Sequence, residues 1–124
     1  MTSGPWTLTV DGSPPPRPGR VHWSVIQREK TRWTEYLGFL AIQKKIPLCE
    51  PGERRSVRVT FYRPGPASDA DNAHAACKVC LDAMKRAGLI EDDSPKHITL
   101  AVSTVPSSKS RTVIELDKIP VSGS

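Results

Sequence analysis

The chain has 124 residues, a formal net charge of +5 and a sequence pI near 9.4. This length supports one hydrophobic core, so we expect a single domain over residues 1–124. No run of about 18 apolar residues occurs, and no membrane-spanning helix is expected. The first residues lack the basic and apolar regions of a secretory signal. Three cysteines are an odd number, which favours reduced thiols in a cytoplasm over a disulfide framework.

The first half of the chain predicts a strand followed by a helix. Residues 6–11 alternate large apolar with smaller polar side chains, a pattern typical of a strand. Residues 12–20 are rich in proline, which fixes φ and removes backbone donors, and so predict a stiff extended connector. From about Ser24 to Lys44 apolar residues recur at helical spacing, and Pro47 ends that helix at the latest.

The second half predicts the order strand, helix, strand, strand. Residues 56–62 have strong β-propensity, and a second helix is expected from near Asp71 to Gly88, a residue suited to the position after a helix. Residues 98–105 and 112–116 predict two more strands, joined as a hairpin. Residues 119–124 are expected to form a frayed tail. The predicted class is therefore α/β (α+β), with a mixed sheet, two helices and the order β-α-β-α-β-β.

Acidic residues are concentrated in one part of this basic chain. Six of the thirteen Asp and Glu residues lie between positions 69 and 93, together with three Lys or Arg residues, so this window has a net charge of −3 and the remainder +8. A positive surface attracts a phosphate polymer, and carboxylates bind a divalent cation. The pattern is typical of a metal-dependent enzyme that acts on nucleic acid.

Each acidic group also has a purely structural interpretation. Asp69 and Asp71 lie where the second helix begins, where acids cap free N–H groups, and residues 91–93 fit a solvated turn. The helix between the two groups is roughly 25 Å long at 1.5 Å per residue. The two groups therefore meet only if the chain folds back along the sheet after Gly88, or if another subunit supplies one of them.

Two further groups have competing interpretations. Lys78 lies seven residues after Asp71, on the same helical face, but a solvated charged face with a Lys78–Asp82 pair is the favoured interpretation from the residues alone. His74, Cys77 and Cys80 have the spacing of a metal clip. No second Cys/His pair completes a tetrahedral zinc site, and both cysteines fall on the apolar stripe, so core packing is predicted for them.

Several short motifs together resemble the RusA family of Holliday-junction resolvases, small phage and bacterial endonucleases. They are Asp69-Ala70-Asp71-Asn72 after a strand and loop, the segment from Leu81 to Gly88 that closes the helix, and Asp92-Asp93 beyond it. The first strand with the Gly/Pro-rich segment after it also resembles the family. The likeness covers most of the chain in the same order of elements.

This resemblance implies a magnesium-dependent endonuclease that works as a homodimer and resolves four-way DNA junctions by paired nicks, in DNA recombination and repair. Asp69, Asp71 and Asp93 match the family's metal-binding carboxylates, for Mg²⁺ or Mn²⁺. Lys78 matches the catalytic lysine, although about three extra residues separate it from Asn72. The implied location is the cytoplasm of a bacterial or phage-infected cell.

A DNA partner also agrees with the distribution of basic residues. Seven of them lie near the first helix or at the predicted hairpin tip and offer phosphate contacts: Arg17, Arg20, Arg28, Lys30, Arg32, Lys109 and Arg111. Trp23 or Trp33 is a candidate for stacking on an unpaired base, with core packing favoured for Trp33.

Two other functions remain open from the sequence. One is a non-catalytic nucleic-acid-binding or phage structural protein that uses its acids as helix caps. The other is a metal-dependent phosphohydrolase that acts on free nucleotides, whose binding would depend little on salt.

Overall fold

Two helices and a four-stranded mixed sheet make up the described part of this computed structural model. It describes residues 5–12, 23–64 and 70–119, without the side chains of 23, 25–26 and 70–75. The elements are β1 (Trp6–Asp11), α1 (Trp23–Gln43), β2 (Arg55–Arg63), α2 (Ala70–Arg86), β3 (Ile98–Pro106) and β4 (Arg111–Lys118). The predicted α+β class and element order are confirmed. Most of the predicted proline-rich connector lies outside the described residues.

The strands lie in the order β1-β4-β2-β3. β2 and β3 are parallel, whereas β4 is antiparallel to both β1 and β2. The predicted hairpin between β3 and β4 is therefore wrong, because β2 lies between them. The short segment after β3 instead crosses the end of β2, where the Ser107 N–H donates to the Arg63 carbonyl at 2.7 Å.

The parallel pair fixes the direction of α2. Since β2 and β3 run the same way, α2 returns from the end of β2 to the start of β3. α1 connects the end of β1 to the start of β2, and β1 and β2 both run antiparallel to β4. Both helices therefore begin at the same end of the sheet.

The core lies between this sheet and the two helices. Its largest fully buried apolar side chains include Phe61, Leu8, Leu37, Met84, Leu89, Ile114 and Leu116. Trp33 is buried, as predicted for it. The predicted apolar stripe of α2 is confirmed for Cys77, Cys80, Leu81 and Met84, and Val79 is buried as well. Burial raises the pKa of Cys77 to about 11 and also raises the pKa of Cys80. Both thiols therefore stay protonated at neutral pH, as small apolar core groups.

Both helices end in the same hydrogen-bonding motif. After α2, Gly88 has φ 81°, its N–H donates to the Lys85 carbonyl, and the Leu89 N–H donates to the Met84 carbonyl. After α1, Lys45 takes the equivalent position with φ 58°. Gly88 confirms the predicted helix end. Lys45 is a lysine where glycine is usual.

The C-terminal boundary lies slightly beyond the predicted one. β4 ends at Lys118, and the Ile119 N–H still donates to the Arg54 carbonyl at 3.0 Å. The first residue of the predicted frayed tail is therefore paired, and the rest of the tail lies outside the described residues. Neither of the two helices described is long and apolar enough to cross a bilayer.

Candidate nucleic-acid and metal site

Five basic residues of the described chain belong to one end of the molecule, called the basic end below. Here β1 and β2 finish, β4 begins and both helices begin. The residues are Arg28, Arg32, Arg63, Lys109 and Arg111. Four of them were predicted as DNA contacts from the sequence, and the topology explains why segments far apart in the chain meet here.

Lys109 and Arg111 lie on the loop that crosses the end of β2 and on the first residue of β4. Both side chains are exposed. With Asp11 and two serines they line a cleft of about 300 Å³. The Arg111 guanidinium stacks 4.5 Å above the Tyr62 ring. This stacking holds one cation in place while leaving it accessible to a phosphate.

The beginning of α1 forms the neighbouring surface. Arg28 and Arg32 are exposed, and both line an open groove of about 820 Å³ together with Tyr36 and Phe39. Arg32 also borders a smaller cleft that contains Asp11, which joins this surface to the cleft at β4. Glu29 lies 3.4 Å from Arg32, one turn away, and this exposed contact is weak. Arg28 and Arg32 therefore fit a polyanion best.

Lys30 does not lie with the other basic residues that were predicted to contact DNA. Its ammonium lies 2.8 Å from the Asp82 carboxylate, and both side chains are partly buried between α1 and α2. The predicted Lys78–Asp82 pair is thus replaced by a pair between helices. Lys30 stabilises the helix packing, and its charge is already neutralised. The predicted contacts Arg17 and Arg20 lie outside the described residues, and so does the side chain of Trp23.

Arg63 is a candidate that the sequence did not suggest. It ends β2, and its guanidinium stacks 5.1 Å from the Phe61 ring. Its Nε and Nη2 atoms are buried and have no hydrogen-bond partner among the described residues. Buried donors are normally satisfied, so this arginine has capacity for an acceptor at the basic end. In the sequence, only its place directly before Pro64-Gly65-Pro66 could have suggested this role.

The predicted metal ligands are divided between the two ends of α2. Asp71 belongs to the first turn of α2, at the basic end, and Asp69 lies outside the described residues. Asp93 follows the other end of the helix. Fifteen residues of helix separate Asp71 from Arg86, a distance of about 22 Å. One chain therefore does not bring all three carboxylates together.

The segment that contains Asp93, residues 91–93, is called the acidic loop. It is held at the start of β2 and β3, because Glu91 accepts a hydrogen bond from the Gly52 N–H at 2.9 Å and pairs with His97 at 3.2 Å. Asp92 lies 3.5 Å from Lys85 in the last turn of α2. The chain after Gly88 thus stays at this end and does not fold back along the sheet.

A buried arginine fixes the base of this loop. Arg55 is fully buried, pairs with Glu53 at 2.6 Å, and donates to the carbonyls of Leu89 and Pro47 at 2.9 and 2.8 Å. It also stacks 5.3 Å from the Trp6 ring. These contacts join the segments that follow both helices, so the position of the acidic loop is built into the fold.

Within the acidic loop, Asp93 is the carboxylate that has no basic side chain beside it among the described residues. Glu91 accepts a hydrogen bond from the Gly52 N–H and pairs with His97, and Asp92 lies beside Lys85. The hydrogen bond from the Asp93 N–H lowers the pKa of Asp92, and the charge of Lys85 acts in the same direction. Asp93 is exposed and has no ion pair with any other described residue. Its oxygens suit a hard divalent cation.

Lys78 lies between the two carboxylate groups. It is exposed in the middle of α2 and forms no ion pair with a described side chain. Among the side chains described, no three His, Cys, Asp or Glu residues are grouped closely enough to hold a metal ion. A complete ligand set therefore requires Asp69, Asp71 or a second chain.

No family model matches the chain, and no curated protein matches it.

Proposed function

We propose that this protein is a magnesium-dependent, structure-selective endonuclease that resolves four-way DNA junctions by paired hydrolytic nicks. The observation that carries the proposal is the grouping of exposed or unpaired cations at the basic end, where Asp71 lies in the first turn of α2. Phosphate contacts of this kind position a duplex without reading its sequence. Selectivity for branched DNA then follows from shape, which suits a homodimer acting on a two-fold-related junction.

Asp69, Asp71 and Asp93 are proposed to hold Mg²⁺, with Mn²⁺ as a substitute. Bound there, the ion would supply a Lewis acid for the scissile phosphate and lower the pKa of a bound water. The protein's own contribution is positioning: Arg28, Arg32, Arg63 and Arg111 bind phosphates on either side of the site. Lys78 is proposed to stabilise the charge that develops on the phosphate.

The alternative proposals make different predictions. A non-catalytic DNA-binding or phage structural protein would bind branched DNA without cutting it. A nucleotide phosphohydrolase would act on free nucleotides, and its binding would depend little on salt. The density of arginines at the basic end favours a polymer over a mononucleotide, because a single nucleotide cannot engage them all. The proposed location is the cytoplasm of a bacterial or phage-infected cell.

Asp71→Asn separates cleavage from binding. We expect it to abolish cleavage of a synthetic four-way junction while binding is retained or tightened, because a carboxylate near phosphate repels it. Cleavage is measured on end-labelled junctions and binding by gel shift. The matched control is Asp117→Asn, at a partly exposed residue of β4, and this variant should cut the junction at the wild-type rate. Wild-type protein that never cuts branched DNA with Mg²⁺ or Mn²⁺ would contradict the proposal.

A further inference from the structure

Only two of the aromatic side chains that the structure describes are exposed. They are Tyr36 and Phe39, at 42% and 58% exposure, and both belong to α1. Trp33, a predicted candidate for stacking on an unpaired base, is buried, and so are Trp6 and Phe61. Tyr36 and Phe39 are therefore the rings that a ligand in solution reaches most easily.

The two rings belong to one stripe on the outer side of α1, away from the buried Leu37 and Ala41. Spacings of four, four and three residues place the members of this stripe on one helical face. The stripe is about 16 Å long at 1.5 Å per residue, the length of roughly five stacked nucleotides at 3.4 Å each. Its members, called the aromatic stripe below, are Arg28, Arg32, Tyr36 and Phe39.

The stripe is positively charged at one end and aromatic at the other. Arg28 and Arg32 are exposed. Among the described residues that line the same groove, Glu35 is the one carboxylate, and it lies beside the rings. It repels phosphate there, so phosphates are favoured at the arginines and bases at the rings. Gln27 and Thr31 also line the groove and supply neutral donors and acceptors for base edges.

We propose that the aromatic stripe binds unpaired DNA, with phosphates at Arg28 and Arg32 and bases stacked on Tyr36 and Phe39. Cations that follow the backbone, together with rings that stack on successive bases, bind single strands without reading their sequence. The ligand is thus a single strand, or the unpaired nucleotides of a branched DNA. The choice of DNA as the ligand rests on the proposed function, but cleavage is not required.

A fully paired duplex cannot use the two rings in this way. Each base face in a duplex is covered by the bases stacked above and below it, so a ring reaches a base face only where the stack is broken. The arginines differ, because the phosphates of a duplex and of a single strand are equally accessible to them. The rings therefore favour unpaired DNA, whereas the arginines bind both forms.

The aromatic stripe is continuous with the basic end. Arg32 and Tyr36 also border the smaller cleft that contains Asp11. Asp11 in turn lines the cleft of Lys109 and Arg111. One DNA molecule can therefore place a paired arm at the basic end and its unpaired continuation along α1.

The first test measures binding alone, by fluorescence anisotropy with a chelator present, on a labelled single strand and a labelled duplex of equal length. Phe39→Ala should weaken binding of the single strand at least about fivefold and binding of the duplex less than about twofold. Arg28→Gln should weaken binding of both. A Phe39→Ala variant that binds the single strand as tightly as wild type would overturn the proposal.

Two further variants at Phe39 separate stacking from apolar packing. Phe39→Trp keeps a flat ring, so it should bind the single strand at least as tightly as wild type. Phe39→Leu keeps an apolar side chain without a ring, so it should lose as much affinity as Phe39→Ala. Because Phe39 is exposed, each variant should unfold at the wild-type temperature. Equal affinities of the Trp and Leu variants would overturn the stacking role.

The matched control is Ile42, which lies three residues after Phe39 and is 78% exposed. It is more exposed than either ring but offers no aromatic face. Ile42→Ala should leave the affinity for the single strand unchanged. A loss equal to that of Phe39→Ala would show a general apolar docking surface and overturn the stacking role.

The outcomes also separate this inference from the proposed function. A protein that never cuts branched DNA, but whose single-strand affinity depends on Phe39, would leave the aromatic stripe standing while the proposed nuclease fails. A protein that nicks four-way junctions, while Phe39→Ala binds single strands normally, would leave the nuclease standing and overturn the stripe.

Discussion

Arg55 shows how one residue controls the position of a candidate ligand loop. It is fully buried, and its charge is balanced by Glu53, which is 14% exposed. Partial burial raises the pKa of Glu53, but the hydrogen bond and charge of Arg55 outweigh it, so the pKa lies below its ordinary value of 4.5. The Glu53 carboxylate therefore stabilises the fold above that value. This stabilisation is lost as the pH falls through the lowered pKa.

Glu53→Gln should lower the free energy of unfolding by about 2–3 kcal/mol at pH 7, because it leaves a buried guanidinium without its counter-ion. The difference from wild type should shrink as the pH falls through the lowered pKa of Glu53, because the wild-type carboxylate is then protonated as well. Urea unfolding at several pH values measures both. Glu50→Gln, in the same loop but exposed, should change stability by less than about 0.5 kcal/mol. An equal loss for both variants would refute the role given to the Arg55 pair.

Lys78 is the residue whose proposed catalytic role is tested most simply by substitution. It is exposed on α2 and forms no ion pair with any of the described side chains. Lys78→Gln should reduce the cleavage rate about a hundredfold and change junction affinity little, since its charge acts on the transition state. Single-turnover cleavage and gel shift separate the two effects.

Arg86→Gln is the control for Lys78, as Arg86 is an exposed cation in the last turn of the same helix. It should cut at the wild-type rate. Equal rates for wild type and Lys78→Gln would remove Lys78 from the mechanism and leave the carboxylates unaffected.

At the scale of elements, the two helix ends form a natural comparison. Both end in the same motif, with Gly88 at φ 81° in one and Lys45 at φ 58° in the other. A residue with a Cβ is strained in this region, whereas glycine is not. A Cβ at Gly88 would also lie 2.9 Å from Leu48 Cδ2. The backbone at Lys45 is therefore strained at the end of α1, whereas the backbone at Gly88 is not strained at the end of α2.

Lys45→Gly should raise the free energy of unfolding by about 0.5–1 kcal/mol, the relief of strain exceeding the added entropy of the unfolded chain. Gly88→Ala should lower it by about 1–2 kcal/mol. Thermal and urea unfolding measure both. Lys44→Gly, one residue earlier, is the control and should not stabilise; stabilisation there would mean that loss of a lysine, not backbone strain, is responsible.

Local patterns predicted most elements but not their arrangement. Alternation in residues 6–11 and the apolar stripe around Cys77 depend on nearby residues, so β1 and α2 could be predicted. The order of β3 and β4 depends on whether a short loop turns back or crosses the end of β2, which local sequence does not determine. Arg55 was missed because a buried arginine depends on carbonyls far away in the chain.

At the scale of the whole molecule, the residue types of the candidate site could be predicted from the sequence, whereas their arrangement could not. The residue types pointed to carboxylate ligands and phosphate contacts. Helix length indicated that Asp71 and Asp93 meet only if the chain folds back after Gly88 or if another subunit supplies one of them. Sequence alone could not show that the chain stays at the acidic loop after Gly88, nor that Lys30 pairs with Asp82. Arg63 was missed because its significance lies in unpaired buried atoms, which only the fold reveals.

The basic end should dominate binding of DNA by the whole molecule. Affinity for a four-way junction should fall steeply with salt, and Arg28→Gln should reduce the slope of log K against log salt by about one contact's share, roughly 0.9. Lys30→Gln should reduce it less, because that ammonium is already paired. Fluorescence anisotropy over a salt series measures the slopes. Equal reductions for both residues would contradict the distinction drawn from the structure.

The central claim is that this chain cuts branched DNA with a divalent metal. Its most direct test is incubation of wild-type protein with an immobile four-way junction, each strand end-labelled in turn, over a magnesium series including a chelated control. We expect nicks at symmetric positions in two opposing strands that appear only with Mg²⁺ or Mn²⁺. Intact junctions at every metal concentration, with the protein bound to them, would contradict it.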